Sequence, residues 1–322
     1  MIVESPAHEV TVTPMRPGEE PLWREALDRS AGGTFYHDPA FSAVYAWKAE
    51  RVANLLFRDG GRVIALLTGG VVRDAEGPSL RSPFSSSFGG LAPVGRLSLR
   101  QALAVVAELE AWARREGVRR IVLQPPPLVY ASQVDETLEF ALRHAGFAQI
   151  AAELTYYLDG LDGIDPVVPR NARKAQAEGC RFAETDDLAG VIEFLAGIKT
   201  LRGHPFDLRA EDVVRLAAEF PGRVSAFEVT REGERVAAML AYALSRRVVL
   251  GFHWAQRAEA QQHRPTDLLV LEAARWAFAR GARVFDLGTT TLGGEPEWGV
   301  TRFKEKFRPL GALRRRFARA CA

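Results

Sequence analysis

The sequence contains few cysteines and histidines, the residues that form disulfide bonds and bind metal ions in small proteins. Among its 322 residues are two cysteines, Cys180 and Cys321, which cannot form a disulfide framework. The six histidines show no paired metal-ligand spacing, so we expect no zinc site; they are His8, His37, His144, His204, His253 and His263. No apolar run approaches the roughly 20 residues that cross a bilayer. Residues 1–15 do not resemble a secretory signal, and we therefore expect a cytoplasmic protein.

The small net charge of +2 conceals an uneven distribution. Residues 302–322 hold eight Lys or Arg and one acid, a net charge of +7 that leaves −5 for the remainder. Such a basic C-terminal tail is suited to phosphate groups or to an acidic membrane surface, and it is equally compatible with a solvated end. With 47% hydrophobic and 25% charged residues, the chain has the composition of a folded protein, and its length indicates about two domains.

A hairpin pattern occurs twice in the chain. Residues 59–67 and 232–240 both have the order acid, Gly, any residue, Arg, Val, any residue, Ala, any residue, apolar. Each copy lies between segments rich in β-branched and aromatic residues. A glycine-containing turn between such segments predicts a β-hairpin.

A helix followed by a strand also occurs twice. Residues 112–123 and 276–287 share Trp-Ala, then Gly, Arg and Leu at the same spacing, and in each the Gly ends an amphipathic stretch. The two repeats are offset by 173 and 164 residues, so the first copy has nine more residues between hairpin and helix, around Ser82–Gly90. Two matches in the same order favour tandem α/β domains, at residues 1–160 and 161–322. The predicted crossover helices are residues 98–116 and 265–280, and residues 297–307 form a further short helix.

This order of elements resembles the GNAT acyltransferase fold, and two such domains in one chain resemble the FemABX family and its FemAB-like relatives. Four stretches carry the resemblance: Arg170–Gly179, Ala273–Gly281, Phe285–Gly288 and Arg302–Phe307. The resemblance implies an α/β (α+β) fold of two GNAT-like domains, each a mixed, mostly antiparallel sheet flanked by helices. It also implies that the first domain lies on the acceptor side and the second on the donor side.

The sequence departs from the wider superfamily at one place. The usual acyl-CoA loop, Gln/Arg-x-x-Gly-x-Gly/Ala, has no clear match, and residues 261–267 supply no glycine. Backbone N–H groups must approach a pyrophosphate closely at a helix N-terminus, so this absence counts against ordinary acetyl-CoA binding. Arg264 and Thr266 would nevertheless place a cation and a helix start there, and they are the expected cofactor-binding residues.

Three residues near the C-terminus are the candidate catalytic group. By the resemblance, Phe303 and Lys304 lie beside the acyl donor, where an ammonium is suited to a developing oxyanion. The alternative is a solvated lysine on an amphipathic helix. Asp286, at a strand end, could orient an amine or a lysine, or could be a turn residue.

Basic and aromatic residues are the candidate acceptor contacts. Arg170, Arg173 and Lys174 share a helix face and could bind phosphates, or could form an exposed basic face. Aromatic side chains could line an acceptor cleft, although core packing is the more common role of such residues; the candidates are Tyr36, Tyr242, His253 and Trp254. The Ser/Gly loop at 85–90 could bind phosphate or sugar, or could be a flexible surface loop.

We therefore expect a FemAB-like transferase that forms an amide between an acyl or aminoacyl group and an amine. The acceptor could be a peptidoglycan or polysaccharide precursor, and it could carry phosphate. No tightly bound cofactor is expected: the donor is a co-substrate, aminoacyl-tRNA held with help from the basic tail, or acyl-CoA. The alternatives are an acetyl-CoA-dependent N-acetyltransferase and, in another class, a catalytically inactive GNAT-like binding module.

Overall fold

The computed structural model describes residues 9–201 and 206–321. His8, His204 and residues 1–8 of the N-terminal segment considered above lie outside the described residues. The chain divides into two compact units. The first contains the residues up to Ala152 together with Leu313 and those that follow, and the second is Glu153–Ala312.

The first part of the chain combines strands with helices, and four of its strands follow one another directly. Its strands are β1 (Val10–Pro14), β2 (Arg51–Asp59), β3 (Arg62–Asp74), β4 (Gly77–Ser82), β5 (Gly90–Pro93), β6 (Arg120–Leu123) and β7 (Ala148–Leu158). Its α-helices are α1 (Glu20–Asp28), α2 (Pro39–Val44), α3 (Leu99–Arg115) and α4 (Thr137–His144). The start of α3 follows from sequence, because Ser98 and Gln101 form a reciprocal capping box.

The second part repeats this order. Its helices are α5 (Val167–Ala177), α6 (Leu188–Leu201), α7 (Ala210–Glu219), α8 (Pro265–Ala279) and α9 (Trp298–Glu305). Its strands are β8 (Arg181–Thr185), β9 (Val224–Arg231), β10 (Glu234–Ala243), β11 (Val248–Gln256), β12 (Val284–Thr289), β13 (Thr291–Leu292), β14 (Glu295–Pro296) and β15 (Leu310–Ala320). Among the described residues, no helix is both long and apolar enough to cross a membrane.

Both predicted hairpins are confirmed. Strands β2 and β3 pair from Asp59 and Arg62 outward, and β9 and β10 pair from Arg231 and Glu234 outward. Each turn needs left-handed backbone, which glycine adopts without strain: φ is +82° at Gly61 and +83° at Gly233. The left-handed residues are Gly60 and Gly61 in the first hairpin and Glu232 and Gly233 in the second, so the two turns differ by one position relative to the sequence repeat.

The sheet of the first unit runs β1-β2-β3-β4-β6-β15. The long strand β3 pairs with β4 through residues 70–74 and with β5 through residues 65–68. Strands β4 and β6 are parallel, as expected for a helical crossover through α3. The core of this unit lies between the sheet and α3, whose Val105, Val106 and Leu109 are fully buried.

The sheet of the second unit runs β7-β12-β11-β10-β9-β8. Strands β11 and β12 are parallel, and the other neighbours are antiparallel. Helices α5 and α8 pack on one face, where they share a core with Met239 and Ala241 of β10. Successive side chains of a strand point to opposite faces, so α6 and α7, which contact the same strands without joining that core, lie on the other face.

Two strands pass from one unit to the other. The part of β7 that begins at Glu153 pairs with β12 of the second unit, and β15 from Leu313 onward pairs with β6 of the first. The division of the structure therefore differs from the predicted boundary after residue 160. The reason is that a strand is stabilised by whichever sheet edge it reaches, and side-chain periodicity does not specify that partner.

The basic C-terminal segment is an ordered strand rather than a solvated end. Its arginines have partners in the first unit: Arg319 lies 3.0 Å from Glu110, Arg315 lies 3.7 Å from Glu139, and Arg316 donates to Gln124 at 2.8 Å. These contacts engage part of the positive charge that the composition assigned to a tail. A tRNA contact through this segment stays a prediction.

Candidate functional site

In the second unit, the parallel strands β11 and β12 separate. Their register runs from Val248–Val284 to Leu250–Asp286, and among the described residues no pairing between them is recorded further along. Strand β11 continues to Gln256, and β12 continues to Thr289. The separation lies toward the carboxyl ends of the two strands, which is the side where open α/β sheets bind ligands.

Irregular pairing accompanies this opening on both sides. The register of β10 with β11 shifts between Leu240 and Ala241, and that of β12 with β7 shifts between Asp286 and Thr289. Gly288 lies within the second irregularity at φ +80°, a conformation that other L-residues rarely adopt. Such bulges bend strands and redirect side chains, which is why they are common beside functional sites.

Asp286 is fully buried at the point where the strands part. Its Oδ1 accepts hydrogen bonds from Thr155 Oγ1 at 2.7 Å and from the backbone N–H of Gly288 at 2.5 Å. The carboxyl group therefore supports the turn at the end of β12. A catalytic role for Asp286 stays a prediction.

Helix α9 brings Lys304 and Phe303 to the same place. Lys304 is 2% exposed, and its Nζ donates to the carbonyl oxygens of Gly288 at 2.9 Å and Thr289 at 2.6 Å. The interpretation of Lys304 as a solvated lysine is therefore wrong. The Phe303 ring lies 5.3 Å from that of Trp254, and Lys304 Nζ lies 5.9 Å from the Trp254 ring centroid.

His253 and Tyr242 lie on the opposite face of the sheet from Trp254. Phe252 connects them, because its ring stacks on Tyr242 at 4.7 Å and lies 4.3 Å from the His253 ring, and Phe206 lies 5.2 Å from His253. Burial, with a smaller contribution from the positive charge of Lys199, lowers the pKa of His253 from 6.5 to about 4. The imidazole is therefore neutral near pH 7 and can accept a hydrogen bond from an amine.

The three basic residues of α5 have different surroundings. Arg170 and Arg173 are exposed. Lys174 Nζ lies 3.5 Å from Glu178, whose other carboxylate oxygen lies 2.5 Å from His263 Nδ1. The hydrogen bond from His263 holds the pKa of Glu178 below its usual value, with Lys174 adding to the effect. Phosphate binding by the three basic residues stays a prediction.

The N-terminus of α8 carries a carboxylate of its own. Arg264 caps the helix in the left-handed conformation, at φ +58°, with an exposed side chain, and Thr266 donates to the Gln256 side chain. Asp267 in the first turn is 3% exposed and accepts from Lys306 Nζ at 2.6 Å. A helix N-terminus favours one negative charge, and here Asp267 supplies it. Cofactor binding by Arg264 and Thr266 stays a prediction, and Asp267 opposes a second anion at this end.

In the first unit, Tyr36 lies in a buried aromatic cluster. It is 3% exposed, with ring centroids 4.7 Å from Phe41 and 5.1 Å from Phe88. Phe88 belongs to the Ser/Gly loop and is itself fully buried, and Gly90 N donates to Ser82 Oγ at 2.7 Å. The interpretation of this loop as a flexible surface loop is therefore wrong at its C-terminal end. Acceptor binding by Tyr36 stays a prediction.

Sequence reasoning missed a cavity in the first unit. Its volume is about 500 Å³, and it lies between β5, the segment after β6 and helix α4. The signal that could have revealed it is Pro125-Pro126-Pro127, which directly follows the β6 region and cannot continue a strand ladder. In the described part of the chain, no group of three His, Cys, Asp or Glu side chains is placed to hold a metal ion.

Comparison with known proteins agrees with this architecture. Residues 167–305 match the family described as acetyltransferase (GNAT) domain. The crystal structure of FemX is similar with a TM-score of 0.72 at 10% identity, covering 95% of this chain and 96% of FemX. No curated protein sequence matches.

Two further solved structures are similar over nearly their whole length. The C-terminal domain of an Agrobacterium fabrum protein described as a lysylphosphatidylglycerol synthetase has a TM-score of 0.60 at 13% identity, with coverage of 94% and 92% of the two chains. A tandem GNAT protein from the clavulanic acid biosynthesis pathway has a TM-score of 0.54 at 14% identity, with coverage of 98% and 99%. At these identities the likeness shows the fold.

The fold and the matched domain define the class of protein: a mixed α/β chain of two GNAT-like units, as predicted. Within that class, the resemblance to the FemAB-like proteins is confirmed at the level of the fold by the similarity to FemX. These matches support an acyltransferase.

Proposed function

We propose that the second unit transfers an acyl or aminoacyl group from an activated donor to an amine, forming an amide. The observation that carries this proposal is the separation of β11 and β12 beyond Leu250 and Asp286, with Lys304 beside it. The backbone of β11 from Gly251 onward faces the opening, where an extended donor can hydrogen-bond along the strand. The match of this region to a GNAT domain supports the same reaction class.

Amide formation requires no protein nucleophile. The amine nitrogen attacks the donor carbonyl carbon, a C–N bond forms, and the bond from that carbon to the leaving oxygen or sulfur breaks. The nitrogen loses a proton, and the leaving group gains one. The protein must hold the two reactants together and stabilise the oxyanion. In our proposal, Lys304, held at the strand end by two carbonyl oxygens, supplies the positive charge for this purpose.

His253 would orient the amine rather than serve as a strong base. A general base works best with a pKa near the working pH, and the pKa of His253 is about 4. A neutral imidazole at that position accepts a hydrogen bond from the attacking amine. Phe252 would form an apolar wall of the same cleft, and Tyr242, which is 1% exposed, would support the Phe252 ring from the core.

Of the two donor classes, the structure favours one whose phosphates do not bind at the start of α8. Asp267 occupies that helix end, and the glycines of an acyl-CoA loop are absent. We therefore propose aminoacyl-tRNA as the donor, with acetyl-CoA as the alternative that the GNAT match supports. The exposed Arg170 and Arg173 would contact phosphates of the acceptor, an amine-bearing cell-envelope precursor in keeping with the FemAB-like fold.

The test supplies the purified protein with labelled aminoacyl-tRNA or labelled acetyl-CoA and a panel of amine acceptors. We expect acceptor-dependent transfer of label from aminoacyl-tRNA, with binding that weakens steeply as salt is added. Lys304→Met should lose transfer, whereas Arg302→Met, on the exposed side of the same helix, should retain it. Full activity of Lys304→Met would refute the assignment of Lys304. Transfer from acetyl-CoA alone would replace the proposed donor, and no turnover with either donor would favour a binding module.

A further inference from the structure

The cavity of the first unit exists because two chain segments cannot pair. Strands β4 and β6 are parallel through Ser82 and Leu123, and Gln124 still exchanges backbone hydrogen bonds with Ser82 and Gly89, both at 2.8 Å. The next three residues, Pro125–Pro127, have no N–H groups and therefore cannot extend this ladder. The chain leaves the sheet there, and a volume of about 500 Å³ opens between this segment and β5.

Strand β5 presents one backbone edge to this cavity. Val94 N donates to Ile64 O at 2.8 Å, and residues of an antiparallel pair alternate in direction, so Leu91 and Pro93 point their backbone polar groups away from β3. Both residues line the cavity. Among the described residues, β3 is the only strand recorded as a partner of β5. The N–H and C=O of Leu91 therefore form an open donor–acceptor pair at the cavity wall.

The rest of the wall is mainly apolar. Leucine side chains from four different segments line it: Leu97, Leu123, Leu128, Leu138 and Leu142. Leu123 and Leu142 are almost fully buried and belong to the hydrophobic core of this unit, so the cavity lies directly beside that core. A volume of this size lies within the range of small-molecule sites.

The charged residues of the lining balance one another. They are three cations and three anions: Arg29, Arg96, Arg315, Asp28, Asp135 and Glu139. Arg315 and Glu139 lie 3.7 Å apart, and Arg96 acts electrostatically on Asp135. A nucleotide or another polyanion needs an excess of positive charge, which this lining does not supply. The balance favours a ligand without net charge.

We propose that this cavity binds an uncharged fatty-acyl amide. The hydrocarbon chain would lie against the leucines, the amide carbonyl would accept a hydrogen bond from Leu91 N–H, and a hydroxyl group on the N-substituent of the amide would donate to Leu91 C=O. This site is separate from the opening in the second unit, and the proposal does not depend on transfer chemistry there. It requires binding alone.

The test is calorimetric titration of the full chain with the N-(2-hydroxyethyl) amides of octanoic, decanoic and dodecanoic acids. Affinity should increase about fourfold for each added methylene until the cavity is full. A decyl ether of the same length that keeps the hydroxyl group but lacks the amide should bind about tenfold more weakly, because Leu91 N–H then loses its carbonyl partner. UMP and CoA serve as charged probes and should not compete with the amide.

Substitutions of lining residues test whether the ligand binds in this cavity. Ala131→Phe fills the partly buried wall, and Ser132→Trp obstructs it from an exposed lining position. Both should weaken amide binding at least tenfold, whereas Ala148→Phe, exposed and outside the lining, should not. Thermal unfolding identifies which variants are folded. The proposal is overturned if the wild-type chain binds none of the amides, if affinity is independent of chain length, if UMP or CoA displaces the amide, or if folded lining variants bind as wild type.

Discussion

Replacing Lys304 by methionine removes the ammonium that holds the end of β12 while keeping a side chain of similar length. In the wild type, Nζ donates to Gly288 O at 2.9 Å and to Thr289 O at 2.6 Å, in a site that is 2% exposed. Methionine cannot donate, so both carbonyl oxygens lose this partner in an environment with little access to water. We therefore expect a loss of stability in the second unit.

The magnitude follows from these two bonds. A hydrogen bond with a charged group contributes about 1.5–3 kcal/mol. Removing a buried ammonium also removes its desolvation cost, which offsets part of the loss. The net decrease in the free energy of unfolding should be about 2–4 kcal/mol.

The assay is urea denaturation followed by tryptophan fluorescence, since the Trp254 ring lies 5.9 Å from Lys304 Nζ. Arg302→Met is the matched control: it removes a cation from an exposed position of the same helix and should change stability by less than about 0.5 kcal/mol. Amide hydrogen exchange at Thr289 and Thr290 provides a local readout and should accelerate in Lys304→Met. If Lys304→Met unfolds within about 0.5 kcal/mol of wild type, the reasoning that Lys304 supports the strand end is refuted.

Three further changes test other parts of the structure. Burial lowers the pKa of His37 from 6.5 to about 4, so as the pH falls the unfolded chain binds a proton at this residue before the folded chain does. The free energy of unfolding should therefore fall by about 3 kcal/mol between pH 6.5 and pH 4. Urea denaturation across that range should show a weaker pH dependence for His37→Gln than for the wild type, and an equal dependence would contradict the lowered pKa of His37. Asp267→Asn weakens the contact with Lys306 and removes the negative charge at the start of α8. The free energy of unfolding should fall by about 1–3 kcal/mol, and the affinity for pyrophosphate, measured by calorimetry, should rise. An unchanged affinity would contradict the proposed repulsion between Asp267 and a bound anion. Gly288→Ala should lower the free energy of unfolding by about 1–2 kcal/mol, measured by thermal or urea unfolding, because φ is +80° at this residue. Gly299→Ala is the control: Gly299 lies in a helix with open space around it, and its replacement should be neutral or stabilising. Equal effects of the two substitutions would argue against backbone strain at position 288.

Local signals predicted the elements well where the backbone itself requires a residue type. The glycine-containing segments 60–61 and 232–233 form left-handed turns, and both hairpins are present. Ser98 with Gln101 marks a helix start, and α3 begins there. In each case the determining interactions lie within a few residues, so the sequence pattern contains them in full.

The candidate site was predicted in part for the same reason. The motifs at 285–288 and 302–307 meet in the structure, where Lys304 contacts the end of β12. The pattern did not reveal that Lys304 is buried or that its ammonium binds backbone carbonyl oxygens, because those depend on how α9 packs. It also did not reveal Asp267 at the start of α8, where a pairing with Lys306 joins residues 39 positions apart in sequence.

The sequence by itself determined the duplication, the order of the elements and the places where the chain must turn, because these follow from periodicity and from backbone preferences of single residues. The tertiary structure decided which sheet receives β7 and β15, where β11 and β12 separate, and that Pro125–Pro127 open a cavity beside Leu91. The physical reason is that strand pairing and burial join residues far apart in the chain. Their free energies depend on partners that local sequence does not specify.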